Sequence, residues 1–173
     1  QNVIKCAKLK NEVARKMLDF ENLEKYKENN QIEAKTALGG FPHSIWETYS
    51  AFANTFGGVI LLGVKESETK NFIPVDLPDP EALIEEFWYN VKNPNVVSVN
   101  ILKEEDVYVH TVHGKHIVVI NVPMAEPDDR PLFIENNPLK SYRRDGEGDV
   151  LFSKQAIFGM IRDAMNLAED NNE

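Results

Sequence analysis

The stretch Ser50–Val64, "SAFANTFGGVILLGV", decides how the chain folds. Residues before the glycine pair keep helical spacing. Val59 to Val64 form a near-continuous apolar run, the pattern of a strand buried on both faces. Gly-Gly beside a strand suggests a phosphate cradle, but such a cradle runs strand, glycines, helix, because the anion needs the free N–H groups of a helix N-terminus. Here the order is helix, glycines, strand. The pair therefore follows a helix C-terminus, whose carbonyls repel anions. One glycine is expected to end the helix in the left-handed conformation and the other to keep the turn tight. Neither GxxxxGK[ST] nor GxGxxG occurs in the sequence.

Outward from that core, Ser44 with Glu47 three residues later predicts a capping box and a helix to about Asn54. Upstream, "QIEAKTA" reads as a strand from about Gln31, and Gly39–Pro42 as a loop. Residues 2–18 read as a helix, with a second short helix over Glu21–Tyr26 and a break at Asn29-Asn30. Downstream, "KESETKNFIPVDLPDP" reads as a loop. Asp79 followed by Pro80 predicts the start of an amphipathic helix. "VVSVNIL", "VYVHTV" and "KHIVVINVP" read as an antiparallel meander turning at "KEED" and at Gly114. Two short strands flank Asn136-Asn137-Pro138, and Ser153 starts a last helix to about Leu167. This mixture predicts an α+β fold: a mixed, largely antiparallel sheet in two layers with its helices. An N-terminal helical extension, 1–27, precedes one domain, 28–173.

The 173 residues are 42% hydrophobic and 27% charged, ordinary for one globular domain. No apolar run is long enough to cross a membrane, and Gln1–Phe20 has no apolar signal core. Cys6 is alone, so an internal disulfide is excluded, which fits a reducing cytoplasm. The net charge of −9 opposes phosphate binding by the chain as a whole. The acid is concentrated at Glu104–Asp106, Asp128-Asp129 and the C-terminal tail, while "LKSYRR", Leu139–Arg144, is a basic island. A local basic face is compatible with the acidic total.

The block "WETYSAFANTFGGVILLGVKE" resembles the signature of the Schlafen-type AlbA_2 domain. "EAK" (Glu33–Lys35), "VPMAEPDDRPLFIE" and "YRRDGEGDVLFSKQAI" agree with further family pieces in the right order, so the resemblance spans about Glu28 to Ile161. It implies nucleic acid. Bacterial members are described as DNA-binding or transcriptional-regulator domains of larger proteins. Animal Schlafens with related domains cleave RNA with three acids and a divalent metal, which by position are Glu28, Glu33 and Glu66 here. This chain has Glu66 where those nucleases have Asp, with Lys65 as a competing neighbour, and it has one such domain where they pair two.

Three readings follow. The first is a DNA- or RNA-binding module contacting phosphates through Lys35, Lys140, Arg143 and Arg144. The second is a ribonuclease in which Glu28, Glu33 and Glu66 are catalytic and hold Mg²⁺ or Mn²⁺. The third is a protein-interaction domain. The binding module needs no cofactor, and the isolated domain is expected to bind rather than cleave. Expected partners are DNA or RNA, a second copy of the chain and further domains of a longer protein, with no membrane. Glu28 and Glu33 are five apart, so they converge only if Asn29-Asn30 bends the chain. Glu33 and Lys35, two apart, share one strand face. The alternative role of Arg144 is an internal ion pair with Glu33 or Asp145, and Asn54 and Thr55 read as helix-end caps. His110, His113 and His116 read as hairpin surface residues, the alternative being that His110 and His116 share a strand-pair face and hold a metal. Trp46, Tyr49 and Phe52, at helical spacing, read as core.

Overall fold

The computed structural model describes residues 18–172. The helix predicted over 2–18 therefore lies, except for Leu18, outside the described residues. A short 3₁₀ turn, Phe20–Lys25, leads into β1 (Ile32–Lys35). Helix α1 (Ile45–Asn54) and β2 (Gly58–Leu62) follow, then a small hairpin of β3 (Val64–Glu66) and β4 (Phe72–Pro74). Helix α2 (Pro80–Val91) precedes the hairpin of β5 (Val107–Val112) and β6 (Lys115–Val122). The chain ends with β7 (Phe133–Ile134), β8 (Asn137–Asp145), β9 (Gly148–Leu151) and helix α3 (Lys154–Asp170).

The central sheet has strand order β1-β2-β6-β5, with β1 parallel to β2 and the other pairs antiparallel. A two-stranded β3-β4 sheet and a three-stranded β7-β8-β9 sheet complete the α+β fold. The apolar run of β2 is buried on both faces because successive side chains point oppositely. Ile60 and Leu62, with Val118, Ile120 and Val122, join the core under α1 and α2. Val59 and Leu61, with Ile117 and Val119, join a second core with Leu23, Phe72 and Val112. Trp46, Tyr49 and Phe52 are buried in the first core, as expected, with Trp46 stacked on Phe87 at 5.3 Å.

The glycine pair does what the element order demands. Gly57 adopts φ +72° and its N–H donates to the Phe52 carbonyl at 2.7 Å, closing α1. A Cβ there would meet the Val122 carbonyl oxygen at 2.7 Å, and one on Gly58 would meet the Phe52 ring at 2.7 Å. A third glycine, Gly63 at φ +83°, ends β2 and redirects the chain into β3.

Five local expectations are corrected. Ser44 is itself helical (φ −63°, ψ −10°) and its hydroxyl caps nothing. The first N–H groups of α1 instead reach the carbonyls of Pro42 and His43, so the capping box does not form. The segment after Val64 is partly a hairpin rather than a loop. "VVSVNIL" is not a meander strand: it makes a single bridge, Val97 to Ile134, and the Tyr49 hydroxyl donates to Val99 O and accepts from Ile101 N, both at 3.1 Å. "KEED" is a 3₁₀ turn, Glu104–Asp106, closed by the Asp106 carboxylate on the Lys103 N–H. The Gly114 hairpin forms, with His113 and Gly114 both at positive φ. Its register places His110 opposite Ile117 and Thr111 opposite His116, so His110 and His116 lie on opposite faces. His116 instead contacts Asp76, whose carboxyl is held below the usual range by the His116 backbone N–H and imidazole.

Candidate nucleic-acid interface

The polar side chains of "SAFANT" are straps, and Thr55 is also the C-cap of α1, its backbone N–H donating to the Phe52 carbonyl. Ser50 Oγ donates to Leu132 O at 2.7 Å and accepts from Tyr142 N at 3.0 Å. The Asn54 side-chain amide donates to Leu132 O and Tyr142 O and accepts from Leu132 N. Thr55 Oγ1 accepts from the Arg144 N–H at 3.0 Å. One turn-and-a-half of helix thus holds β8 and the segment before β7 by their backbones. Buried polar groups need such partners, and backbone partners supply them without a second conserved side chain.

That strapping delivers Arg144 to the edge of β1. Its side chain is 0% exposed and lies between two acids, Glu33 Oε2 at 2.8 Å and Asp149 Oδ1 at 2.8 Å. It also donates to the carbonyls of Asn29 and Ile32, and its guanidinium sits 5.0 Å from the Phe52 ring centre. Arg144 therefore presents no face to a phosphate. The internal ion pair expected with Glu33 is formed, with Asp149 rather than Asp145 as the second acid. Asp145 is taken by Arg143 at 3.3 Å.

The network continues to both sides. Lys35 Nζ meets Glu33 Oε1 at 2.8 Å, so these residues share a face as their spacing of two requires. Asp149 accepts from Thr48 Oγ1 at 2.6 Å. Beyond it Tyr142 lies within electrostatic reach of Glu47 and Lys140, and burial first, then Glu47, raises its phenol above the usual range. Lys140 is ion-paired with Glu135, which raises the ammonium above its usual range. The result is a strip of alternating charge from Lys35 to Lys140. Its cations, Lys35 and Lys140, each carry an acidic partner, whereas Arg143, paired with Asp145, stands with Val150 on the opposite face of β8 from Arg144 and Asp149. Thr48, Ser50 and Asp149 were missed by sequence reasoning. A hydroxyl on an apolar helix face was the one available signal.

Glu33 and Glu66 lie within electrostatic reach of Glu28. Asn29 N donates to Ile32 O at 3.1 Å, forming the bend that brings Glu28 back, and Glu28 Oε1 accepts from the Ala34 N–H at 3.1 Å. Burial, and secondarily the charges of Glu33 and Glu66, raise the Glu28 carboxyl above its usual range. Glu66 Oε1 is buried without a hydrogen-bond partner, while Lys70 lies 3.7 Å from its other oxygen. Lys65 and Glu66 are successive strand residues with opposite facings, so Lys65 is not the competing cation; Lys35 and Lys70 are. Oxygen ligands suit Mg²⁺ or Mn²⁺, but both oxygens of Glu33 are already engaged by cations. Among the described residues no three His, Cys, Asp or Glu side chains are placed to hold a metal ion. As arranged, Glu28, Glu33 and Glu66 do not fit a three-carboxylate metal centre.

A mixed sheet with one parallel pair, and a polar-strapped helix holding a second sheet against it, defines a class of small α+β domain. This chain belongs to the Schlafen AlbA_2 family, whose model matches residues 28–153. It is similar to the solution NMR structure of the N-terminal domain of a protein related to the ATP-dependent DNA helicase RecG from Nitrosomonas europaea. The identity is 28% and the TM-score 0.57, over 77% of this chain and 92% of that one. The DIP2311 protein of Corynebacterium diphtheriae shares the fold, with 15% identity and a TM-score of 0.53. That match covers 94% of this chain but only 34% of the other. No curated protein is a significant match. Among the described residues no helix is long and apolar enough to cross a membrane.

Proposed function

We infer that the domain binds nucleic acid weakly through its phosphates, as one module of a larger bacterial regulator. The observation that carries this reading is the family match over 28–153, with the helicase-related neighbour in support. The contact surface we assign is the strip between β1 and β8. Its cations are Lys35 and Lys140; Arg143 stands on the opposite face of β8. An exposed ion pair contributes only about 0–1 kcal/mol, so a phosphate can displace Glu135 from Lys140, and Glu33 keeps Arg144 when a phosphate takes Lys35. Arg144 acts beneath the strip as its scaffold.

Two phosphate contacts give a salt slope of about −1.4 to −1.8, a loss of affinity of about 7- to 12-fold between 50 and 200 mM salt. Fluorescence anisotropy with mixed-sequence single- and double-stranded DNA and RNA across a salt series tests this. Lys35→Gln and Lys140→Gln are each expected to weaken binding and to reduce the slope by about one. An absence of binding to every oligonucleotide at low salt refutes the reading.

Metal-dependent RNA cleavage is the second reading, favoured by one observation: the partnerless buried oxygen of Glu66 beside Glu28. The double engagement of Glu33 by Lys35 and Arg144 opposes it. Labelled RNA incubated with Mn²⁺ is expected to stay intact. Cleavage that disappears in Glu33→Gln while the fold is retained would put this reading first.

A further inference from the structure

Helix α3, Lys154–Asp170, begins where the family match ends at residue 153. Its first turns rest on the 3₁₀ segment Pro127–Asp129 and on β8. Ile157 is its one fully buried residue; Met160, Ile161 and Ala164 are half-buried, and every residue from Met165 to Asp170 is exposed. Phe158 is 58% exposed and Met165 61%. Phe158, Ile161, Met165 and Ala168 recur at spacings of three, four and three. That is the seam of a paired helix, and it lies beside the stripe of Ile157, Met160 and Ala164 that the domain covers.

The charges on α3 point to what pairs with it. Lys154 stands in the first turn, where no acid occurs. Glu169 and Asp170 stand in the last turn, where no base occurs. This is the reverse of what the helix dipole favours: the negative end carries acids and the positive end a lysine. An antiparallel copy of the same helix corrects both ends together. It brings Lys154 and the positive N-terminus of one helix against Glu169, Asp170 and the negative C-terminus of the other. A parallel copy would set acids on acids.

We propose that α3 is an interface between two copies of this chain, packed antiparallel along the seam of Phe158, Ile161, Met165 and Ala168. Helix α3 has 17 residues, a length of about 25 Å at 1.5 Å rise per residue. A single pair of such helices buries less than a standard interface of about 1,200 Å², so the dimer is weak, with a dissociation constant on the order of 10–100 μM.

Sedimentation equilibrium of the whole chain, at loadings from about 5 to 500 μM around that constant, tests the proposal. The wild type is expected to pass from monomer to dimer. Met165→Glu, at an exposed position, keeps the circular dichroism spectrum and weakens association at least tenfold. Lys154→Glu alone weakens it, and so does the double substitution Glu169→Lys with Asp170→Lys. Mixing these two variants restores a heterodimer, because each chain then offers the other opposite charges at both ends. A chain that stays monomeric at every loading overturns the proposal. So does a dimer indifferent to Met165→Glu, and single charge reversals without effect overturn the antiparallel arrangement.

Discussion

Replacing Arg144 with alanine separates a scaffold role from a surface role. The substitution removes a guanidinium that is 0% exposed and leaves two acids behind, Glu33 at 7% and Asp149 at 14% side-chain exposure. It also strips the Asn29 carbonyl of its guanidinium donors and leaves the Ile32 carbonyl with the Asn29 N–H. Removing one partner of a buried ion pair costs about 3–5 kcal/mol, because the charge left behind keeps its desolvation without compensation. The two pairs share one cation, so their costs do not add. For a chain of this size 1 kcal/mol corresponds to about 2–4 °C in melting temperature, giving an expected drop of about 6–20 °C. An exposed arginine in an ion pair would cost at most about 1 kcal/mol, or under about 4 °C. Differential scanning calorimetry and urea unfolding read the difference directly. Arg144→Lys keeps the charge but loses the fork that reaches both acids and the carbonyls, so it is expected to fall between the two. Arg144→Ala melting within about 4 °C of wild type, with nucleic-acid binding abolished, would refute the scaffold argument and return Arg144 to the interface.

Three further outcomes follow from the same geometry. Glu28 has a raised carboxyl in the folded state, so the fold binds more protons than the unfolded chain between its ordinary value near 4.5 and the raised one, and stability falls as pH rises through that window. Glu28→Gln keeps an acceptor for the Ala34 N–H and is therefore expected to raise the melting temperature at pH 7.5, an advantage that shrinks toward pH 4; an equal effect at both pH values would sink the argument. Gly57→Ala combines a left-handed backbone with a Cβ 2.7 Å from the Val122 carbonyl, and urea unfolding is expected to show a loss of at least about 2 kcal/mol, against about 1 kcal/mol for Gly146→Ala, left-handed but in open space; equal losses at the two positions would show that strain at φ alone decides. Ser50→Ala leaves the Tyr142 N–H without its acceptor, and a loss of about 1–3 kcal/mol is expected in the same assay; a change under about 0.5 kcal/mol would show that the strap contributes nothing.

The elements whose pattern is local were legible in the sequence. The continuous apolar run of β2, the Asp79-Pro80 start of α2 and the Ser153 cap of α3 all rest on neighbours within four residues, and each forms as read. The failures have two causes. One is local: Ser44 looks like a cap until its neighbours Pro42 and His43 supply the carbonyls. The other is a partner remote in sequence. "VVSVNIL" looks like a strand until the Tyr49 hydroxyl, about fifty residues away, takes its backbone groups. At the site, Glu33 and Lys35 were legible as one face because their spacing is two. The position of Arg144 was open between surface and interior because its second acid, Asp149, belongs to the next strand. The bend at Asn29-Asn30 was legible as a condition for Glu28 to approach Glu33, and the Asn29–Ile32 bridge meets it.

The most specific part of the family pattern is therefore scaffold. Ser50, Asn54, Thr55 and Gly57 each hold a backbone group or permit a turn, and Arg144 locks β8 to β1 from inside. A chain carrying "SAFANTFGG" is committed to the fold whether or not it touches nucleic acid. Discrimination falls to the residues the straps leave outside, namely Lys35 and Lys140 on the strip and Glu28 and Glu66 beside it. In a chain of net charge −9, two displaceable cations support only a weak, salt-sensitive hold on phosphate. Association through α3 would double those contacts on one ligand, and linked sites exceed either affinity alone when one ligand can span both. Binding measured above the dimerisation range should then be tighter than that of the Met165→Glu monomer. Equal affinities for wild type and variant at that concentration would show that the two surfaces work independently.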